Sequence, residues 1–339
     1  MARMAINGMG RIGRASLKVI LENEHMELVA VNDLAPIGDV AYLLGSDTVY
    51  GKYDKAIKTE KNALMVGDHE RIEYLSEKDP SKLPWRNMSI DIVIECTGAL
   101  KTKADLQKHI DAGAQHVILS TTTKEDMPTI VFGVNLPSPG DRIISTASCT
   151  TNCMAPVVEI VGRRIGFQKC AMTTVHAYTS SQKIVDSVSG ARRRGRAGAL
   201  NIVPTTTGAA VATTKAVPEY AGKFDGRALR VPVPVGSISD MTFLTSRVTT
   251  EEEVNFIFSE EAGTERYMNI VGVASDDFVS SDIIRDSRAS VIDRELTQVI
   301  DGDMLKVMSW YDNEWGYTNQ MIRTAAYMAL HMTPAATST

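Results

Sequence analysis

Arg3-Met4-Ala5-Ile6-Asn7 runs into Gly8-Met9-Gly10-Arg11-Ile12-Gly13, and a helical pattern follows through Leu17, Ile20 and Leu21. Strand, glycine turn and helix in that order decide the fold of this half of the chain. Glycines at Gly8, Gly10 and Gly13 allow a tight turn and a close backbone approach to a pyrophosphate, which the free N–H groups and dipole of the helix start can hold. A second apolar run, Glu27 to Val31, ends at Asn32-Asp33, and Asp33 stands twenty residues after Gly13. A carboxylate at that place accepts hydrogen bonds from an adenosine ribose and repels a 2′-phosphate, so NAD is expected rather than NADP.

Further strand runs are expected at Ile90 to Cys96, His116 to Ser120 and Thr129 to Val134, with an amphipathic helix over Lys103 to Ala112. Alternating strands and helices predict an α/β fold with a mainly parallel, doubly wound sheet. Its crevice at the strand ends is expected to hold the nicotinamide, near Thr97-Gly98 and Ser120-Thr121.

The chain has 339 residues, enough for two domains. Charged residues make up 23% and the formal net charge is −5, which gives no general attraction to nucleic acid or to an anionic membrane. No N-terminal segment has the order of a signal peptide, and the longest uncharged stretch, Ala197 to Thr214, contains Pro204, Asn201 and five threonines. A cytoplasmic protein without a membrane partner is expected. The four cysteines have no paired CxxC spacing and the six histidines are scattered, so neither a metal site nor disulfides are expected.

The second half carries a nucleophile. Asp141 to Ala147 reads as a strand running into Ser148-Cys149, and Thr150 to Val161 as the helix after it, with Pro156 expected to kink it or to mark an early turn. Cys149 then lies at a helix N-terminus, where the dipole and a neighbouring imidazole are expected to lower the thiol below its free pKa of about 8.5. His176, at the end of the β-rich run Ala171 to Val175, is the expected imidazole, and Cys153 reads as a buried small side chain. A thiolate beside a hydride acceptor suggests an aldehyde substrate that passes through a thiohemiacetal to a thioester. Thr206-Thr207-Gly208-Ala209-Ala210 opens another helical run and resembles an anion site. Arg192-Arg193-Arg194-Gly195-Arg196 and Arg230 add donors for phosphate or for a subunit contact. One basic loop on an acidic chain argues against nucleic acid as the primary partner.

Ile6 to Arg14, Ser148 to Cys153, His176 to Thr179 and Ser309-Trp310-Tyr311-Asp312-Asn313-Glu314-Trp315-Gly316-Tyr317 together resemble phosphorylating glyceraldehyde-3-phosphate dehydrogenase, over nearly the whole chain. The resemblance implies a Rossmann-type domain at 1–148 and an α+β catalytic domain with a mixed or antiparallel sheet at 149–315. A terminal helix at 316–331 returns to the first domain. It implies that Cys149 is acylated and that His176 is its base. By the same resemblance, Thr179 and Arg230 would bind the substrate C3 phosphate. Ser148, Thr150, Thr207 and Gly208 would hold inorganic phosphate, with Arg194 between the two sites. Arg11, Ile12 and Asp33 would bind NAD, Asn313 would fix the carboxamide, and Tyr317 would pack by the nicotinamide. A homotetramer is the usual family assembly.

The chain departs from the family at Val233 and Val235, where it usually has Thr and Asn. Other departures are Leu119-Ser120-Thr121-Thr122, for the usual Ser-Ala-Pro, and Ser187-Val188, where NAD-specific members often have Gly-Pro. Two other readings stand beside the leading one. Erythrose-4-phosphate dehydrogenases share the Cys and His motifs but usually lack the Thr that is Thr179 here. A nucleotide- or RNA-binding regulatory protein without catalysis has no need of Cys149, His176, Arg194 and Arg230 together.

Overall fold

The run before the glycine turn forms β1 (Ala2–Asn7) in the computed structural model, which describes residues 1–68 and 70–331. The last four residues of β1 are buried, as a central strand covered on both faces must be. After it come α1 (Arg11–Ile20), β2 (Met26–Asn32), α2 (Ile37–Gly45) and a short hairpin of β3 (Ser46–Asp47) with β4 (Gly51–Lys52). β5 (Ile57–Glu60), β6 (Ala63–Val66), β7 (Glu70–Leu75), β8 (Ile92–Glu95), α3 (Lys103–Asp111), β9 (His116–Leu119) and β10 (Ile143–Ser145) follow.

The sheet order is β10-β9-β8-β1-β2-β7-β6-β5. Neighbours from β10 through β7 are parallel, while β6 pairs antiparallel with both β7 and β5. The winding direction reverses between β1 and β8, and the crevice beyond such a reversal is where open α/β sheets take ligands. α3 starts at Thr102 with a reciprocal cap to Asp105, which satisfies two amides of the helix start. Leu106 and Ile110 of α3 then pack on Val93, Val117 and Trp85.

The second sheet is built around a buried helix. α4 (Cys149–Arg164) is capped by Ser148, whose hydroxyl accepts the Thr151 N–H at 3.1 Å, and every residue from Thr150 to Val161 is buried. Pro156 brings no N–H to the helix ladder, yet the helix runs on to Arg164. Then come β11 (Phe167–Ala177), β12 (Val203–Thr206), α5 (Ala209–Ala216), β13 (Phe224–Val231), β14 (Ser237–Thr245) and α6 (Glu251–Ala262). β15 (Val271–Val273), β16 (Ser290–Ile292), β17 (Gln298–Ile300), β18 (Met304–Tyr311) and α7 (Trp315–His331) complete the chain.

The order β12-β13-β11-β14-β18-β16-β15 mixes parallel and antiparallel pairs, with β17 joined to β18. Met154, Val157, Val158 and Val161 of α4 pack against Phe243, Leu305 and Val307 of this sheet and against Ile257 and Phe258 of α6. Each such side chain contributes about 1.5–3 kcal/mol on burial, so α4 is held rigidly enough to aim its first residue. Its far end is fixed by Glu159, which accepts from Arg163, Arg266 and Tyr267 at 2.8, 2.9 and 2.6 Å.

By contact density the chain divides into one unit of Met1–Ile130, Leu136–Ala147 and the residues from Met321, and another of Val131–Asn135 and Ser148–Gln320. No helix among the described residues is long and apolar enough to cross a membrane. The strand expected over Thr129 to Val134 does not form. Thr129 makes only an isolated bridge with Ser145, and from Val131 the chain turns. Asn135 Oδ1 accepts the Val131 N–H at 2.8 Å and Gly133 adopts φ +85°, a local hydrogen bond and a left-handed glycine that together end extended pairing. His176 lies at the end of β11, one residue before its last, Ala177.

Candidate active site

In the first unit each glycine of the turn has its own reason. Gly8 adopts φ +97°, and a Cβ there would stand 2.6 Å from the Thr97 amide nitrogen. A Cβ at Gly13 would stand 1.9 Å from the Gly8 carbonyl oxygen, so this residue lets the helix close on the strand. A Cβ at Gly10 would meet nothing within 4 Å. That opening is where a pyrophosphate needs close approach, and Gly10 brings no side-chain cap to α1, which begins at Arg11 and Ile12.

Asp33 follows the end of β2 and serves the turn directly: Oδ2 accepts the Met9 N–H at 2.6 Å and Oδ1 the Ala35 N–H at 2.9 Å. Each oxygen keeps lone-pair capacity for a ribose hydroxyl. The Arg11 side chain is engaged by Asp47 at 2.5 Å, which leaves its backbone as the part suited to a cofactor. Thr97 and Gly98 are exposed just beyond β8, with Gly98 at φ +67°, and the Ser120 N–H donates to the Glu95 carbonyl at 3.0 Å. These residues fit NAD by geometry and by donor set.

In the second unit, Cys149 is the first residue of α4 and its Sγ lies 3.4 Å from His176 Nε2. The ring tautomer follows from the other nitrogen. His176 Nδ1 is 2.6 Å from the Ala177 carbonyl, which can only accept, so Nδ1 carries the proton and Nε2 turns a lone pair to the thiol. Arg230 Nη1 stands 3.0 Å from the same Nδ1 and 2.9 Å from the Ala177 oxygen, and it donates to the oxygen.

Burial and the Arg230 charge push His176 down to about 3. Burial pushes the Cys149 thiol up, against the pull of Arg230 and of hydrogen bonds at the helix start. The expected lowering of this thiol is therefore corrected: desolvation outweighs the pull of Arg230 and of the hydrogen bonds at the helix start. A neutral base 3.4 Å from the sulfur takes its proton as the sulfur attacks.

Arg230 also reaches Thr179 Oγ1, at 3.5 Å, which joins the two residues expected at the C3 phosphate. Arg194 donates from Nε to Thr205 Oγ1 at 3.0 Å, at the end of β12, and its charge is felt by both His176 and Arg230. Thr207 Oγ1 accepts the Ala209 N–H at 3.1 Å, and Gly208, with open space where a Cβ would be, leads into α5. Two residues expected at inorganic phosphate already have partners. The Ser148 hydroxyl caps α4, and Thr150 Oγ1 lies 3.0 Å from Tyr311 Oη. Asn313 Oδ1 accepts from Ser237 Oγ at 3.0 Å, and Tyr317 is buried.

Three residues escaped the sequence reading. Ser237 accepts the Ala177 N–H at 3.1 Å and donates to Asn313, linking the backbone beside His176 to the residue expected at the carboxamide. Tyr311 bridges Thr150 and Thr174 and packs edge-on against the His176 ring, with centroids 5.9 Å apart. Glu95, fully buried, accepts from Thr97. Tyr311 lies in the C-terminal motif quoted above; for Ser237 and Glu95 no local pattern gives a signal. Cys153 is buried as expected, with Sγ 3.5 Å from Ser309 Oγ. Val235 is buried, and the Val233 carbonyl accepts the Tyr178 N–H at 3.1 Å.

Comparison with known proteins agrees with this geometry. A family model described as the NAD binding domain of glyceraldehyde 3-phosphate dehydrogenase matches residues 2–103, and one described as the C-terminal domain matches residues 148–313. The chain is 43% identical over 330 residues to a glyceraldehyde-3-phosphate dehydrogenase of Streptomyces coelicolor, covering 96% of this chain and 98% of the relative. It is 42% identical over 330 residues to glyceraldehyde-3-phosphate dehydrogenase 1 of Bacillus subtilis, with the same coverage. The enzyme of Zymomonas mobilis is 40% identical over 332 residues, again 96% and 98% of the two chains.

Proposed function

Because the chain belongs to the glyceraldehyde 3-phosphate dehydrogenase family, we propose which of its residues perform each step of that reaction. The protein is an NAD-dependent oxidoreductase that converts D-glyceraldehyde 3-phosphate and inorganic phosphate to 1,3-bisphosphoglycerate. Cys149 Sγ adds to the aldehyde carbon while His176 Nε2 takes the thiol proton and returns it to the new alkoxide, giving a thiohemiacetal. His176 then removes that hydroxyl proton as the carbon loses hydride, leaving a thioester on Cys149. When bound, NAD accepts the hydride. Inorganic phosphate attacks the thioester carbon, the sulfur leaves, and His176 returns the proton to it.

Arg230 and Thr179 hold the C3 phosphate of the substrate. Thr207, Gly208, Ser148 and Thr150 hold the attacking phosphate, with Arg194 between the two anions. In the first unit Gly8, Gly10, Arg11, Ile12 and Gly13 are assigned to the pyrophosphate, Asp33 to the ribose, and Thr97, Gly98 and Ser120 to the remainder of the dinucleotide; in the second, Asn313 and Tyr317 are assigned to the nicotinamide. The observation that carries the assignment is the 3.4 Å approach of His176 Nε2 to Cys149 Sγ, with its tautomer set by Ala177. NADH absorbance should rise only with aldehyde, NAD and phosphate or arsenate together. Cys149→Ser should reduce the rate to background, and activity surviving that change would sink the mechanism.

We also assign the assembly. Ile184, Val185, Val188, Leu200 and Ile202 expose 88, 72, 99, 82 and 67% of their surface in one segment, which is apolar area that a second copy of the chain can cover. A homotetramer is the expected form, and a monomer by light scattering at micromolar concentration contradicts it. All four cysteines are unpaired, which suits a cytoplasmic enzyme.

A further inference from the structure

Beneath the ends of β1, β2 and β8 runs a series of hydrogen bonds among buried polar side chains that no catalytic step uses. Trp85 Nε1 donates to His109 Nδ1 at 3.0 Å. With Nδ1 accepting, the ring proton sits on Nε2, which faces Glu95 Oε2 at 3.2 Å. The same oxygen accepts from Asn7 Nδ2 at 2.6 Å, and Asn7 Oδ1 accepts from Asn32 Nδ2 at 2.7 Å. Asn32 Oδ1 in turn accepts the Glu77 N–H at 2.8 Å. Both arms therefore donate toward Glu95.

The other oxygen, Oε1, accepts the Thr97 N–H at 2.7 Å and the Thr97 hydroxyl at 2.5 Å. Trp85, His109 and Glu95 are 0% exposed, and Asn7 and Asn32 are 3 and 4%, so water replaces none of the bonds among these five. A carboxylate offers about four lone-pair positions, and here four donors meet them. An amide at 95 would set an N–H against at least one donor, and a buried donor without an acceptor is costly.

The network reaches both backbone segments that flank the crevice. Thr97-Gly98 is tied to Glu95 itself. On the other side, Asn32 accepts the Gly8 N–H on its carbonyl at 2.8 Å, and Gly8 has no room for a Cβ against Thr97.

We propose that Glu95 is a positioning residue for the dinucleotide: held by His109 and Trp85 from one side and by Asn7 and Asn32 from the other, it sets the Thr97–Gly98 turn against the glycine turn. Affinity for NAD then depends on a carboxylate and imidazole that touch no reacting atom. The proposal rests on the reading of Thr97 and Gly98 as cofactor contacts.

Calorimetric titration of the full chain with NAD tests this without turnover. Glu95→Gln and His109→Leu should weaken NAD about tenfold, the size of one hydrogen bond to a charged group. Alkylation of Cys149 by iodoacetamide in the NAD-free protein should keep its rate. His109→Gln, whose amide can accept from Trp85 and donate to Glu95, should stay within about threefold of the original affinity. The two His109 variants carry the test by themselves where the Glu95 variant does not fold.

Unchanged NAD affinity in His109→Leu overturns the proposal, as does a loss in His109→Gln as large as in His109→Leu. Gly98→Val separates this from the underlying reading. If it binds NAD normally, Thr97–Gly98 is no cofactor contact and that reading fails. If it binds weakly while His109→Leu binds normally, only the role of Glu95 and His109 fails.

Discussion

The two units solve opposite problems. The dinucleotide unit presents mostly backbone: Gly8 and Gly13 let main chain approach main chain, and Gly10 between them leaves open space. The catalytic unit presents side chains, and it gathers them from distant places: Cys149 from a helix start, His176 and Arg230 from paired strands, Arg194 from a short 3-10 helix at Arg192–Gly195. A backbone site tolerates changes of side-chain chemistry but not of volume. A side-chain site does the reverse.

That contrast is tested most severely at Arg230. Its Nη1 touches the Ala177 carbonyl and Thr179, so truncation removes the donor proposed for the C3 phosphate while leaving the Cys149 and His176 geometry supported by Ala177 and Ser237. Arg230→Ala should lower kcat/KM for glyceraldehyde 3-phosphate about a hundredfold, the loss expected when one partner of a buried charge pair is removed. The rate with unphosphorylated glyceraldehyde should change little. An equal fall with both aldehydes would mean that Arg230 serves His176 and not the phosphate.

Glycines sharpen the other side. Gly13→Ala places a methyl 1.9 Å from the Gly8 carbonyl oxygen, and backbone on both sides leaves no flexible group to move. A loss of about 1–3 kcal/mol in stability is expected by urea titration, as for overpacking elsewhere. Gly10→Ala meets nothing within 4 Å, so its stability should stay within about 0.5 kcal/mol. Its NAD affinity should still drop, because the methyl occupies the approach of the pyrophosphate. Normal NAD binding by Gly10→Ala would remove that residue from the cofactor site.

The same contrast explains what the sequence let us read. The glycine turn and Asp33 were legible because a strand, a turn and a helix are contiguous and each leaves a local pattern. Ser148 and Cys149 were legible for the same reason, as cap and first residue of one helix. Ile130-Val131-Phe132 has the apolar pattern of a strand, but the left-handed Gly133 and the Asn135 side chain bend it into a turn, and those forces act locally against the pattern. The network of Trp85, Glu95 and His109 was invisible, since three residues with no shared period meet only after the sheet forms. The direction of the Cys149 shift was misread because a helix start is visible in a sequence and burial is not.

Burial at that site also has a consequence for stability. His176 is held neutral, its pKa pushed from 6.5 down to about 3 by desolvation and by Arg230. An unfolded chain binds a proton at this residue below about pH 6.5, while the folded chain declines it until much lower. Between those values the unfolded state holds more protons, so stability falls as the pH is lowered and this contribution is whole only above the unfolded pKa. Other groups titrate in the same window, and the difference between variants isolates His176. Lowering the pH from 7 to 4.5 should cost the original chain on the order of 1–2 kcal/mol more than it costs His176→Asn, measured by urea titration at both values. An equal loss in the two would show that the imidazole charges freely in the folded state, which would place Arg230 farther from it in solution and weaken the link between the phosphate site and the base.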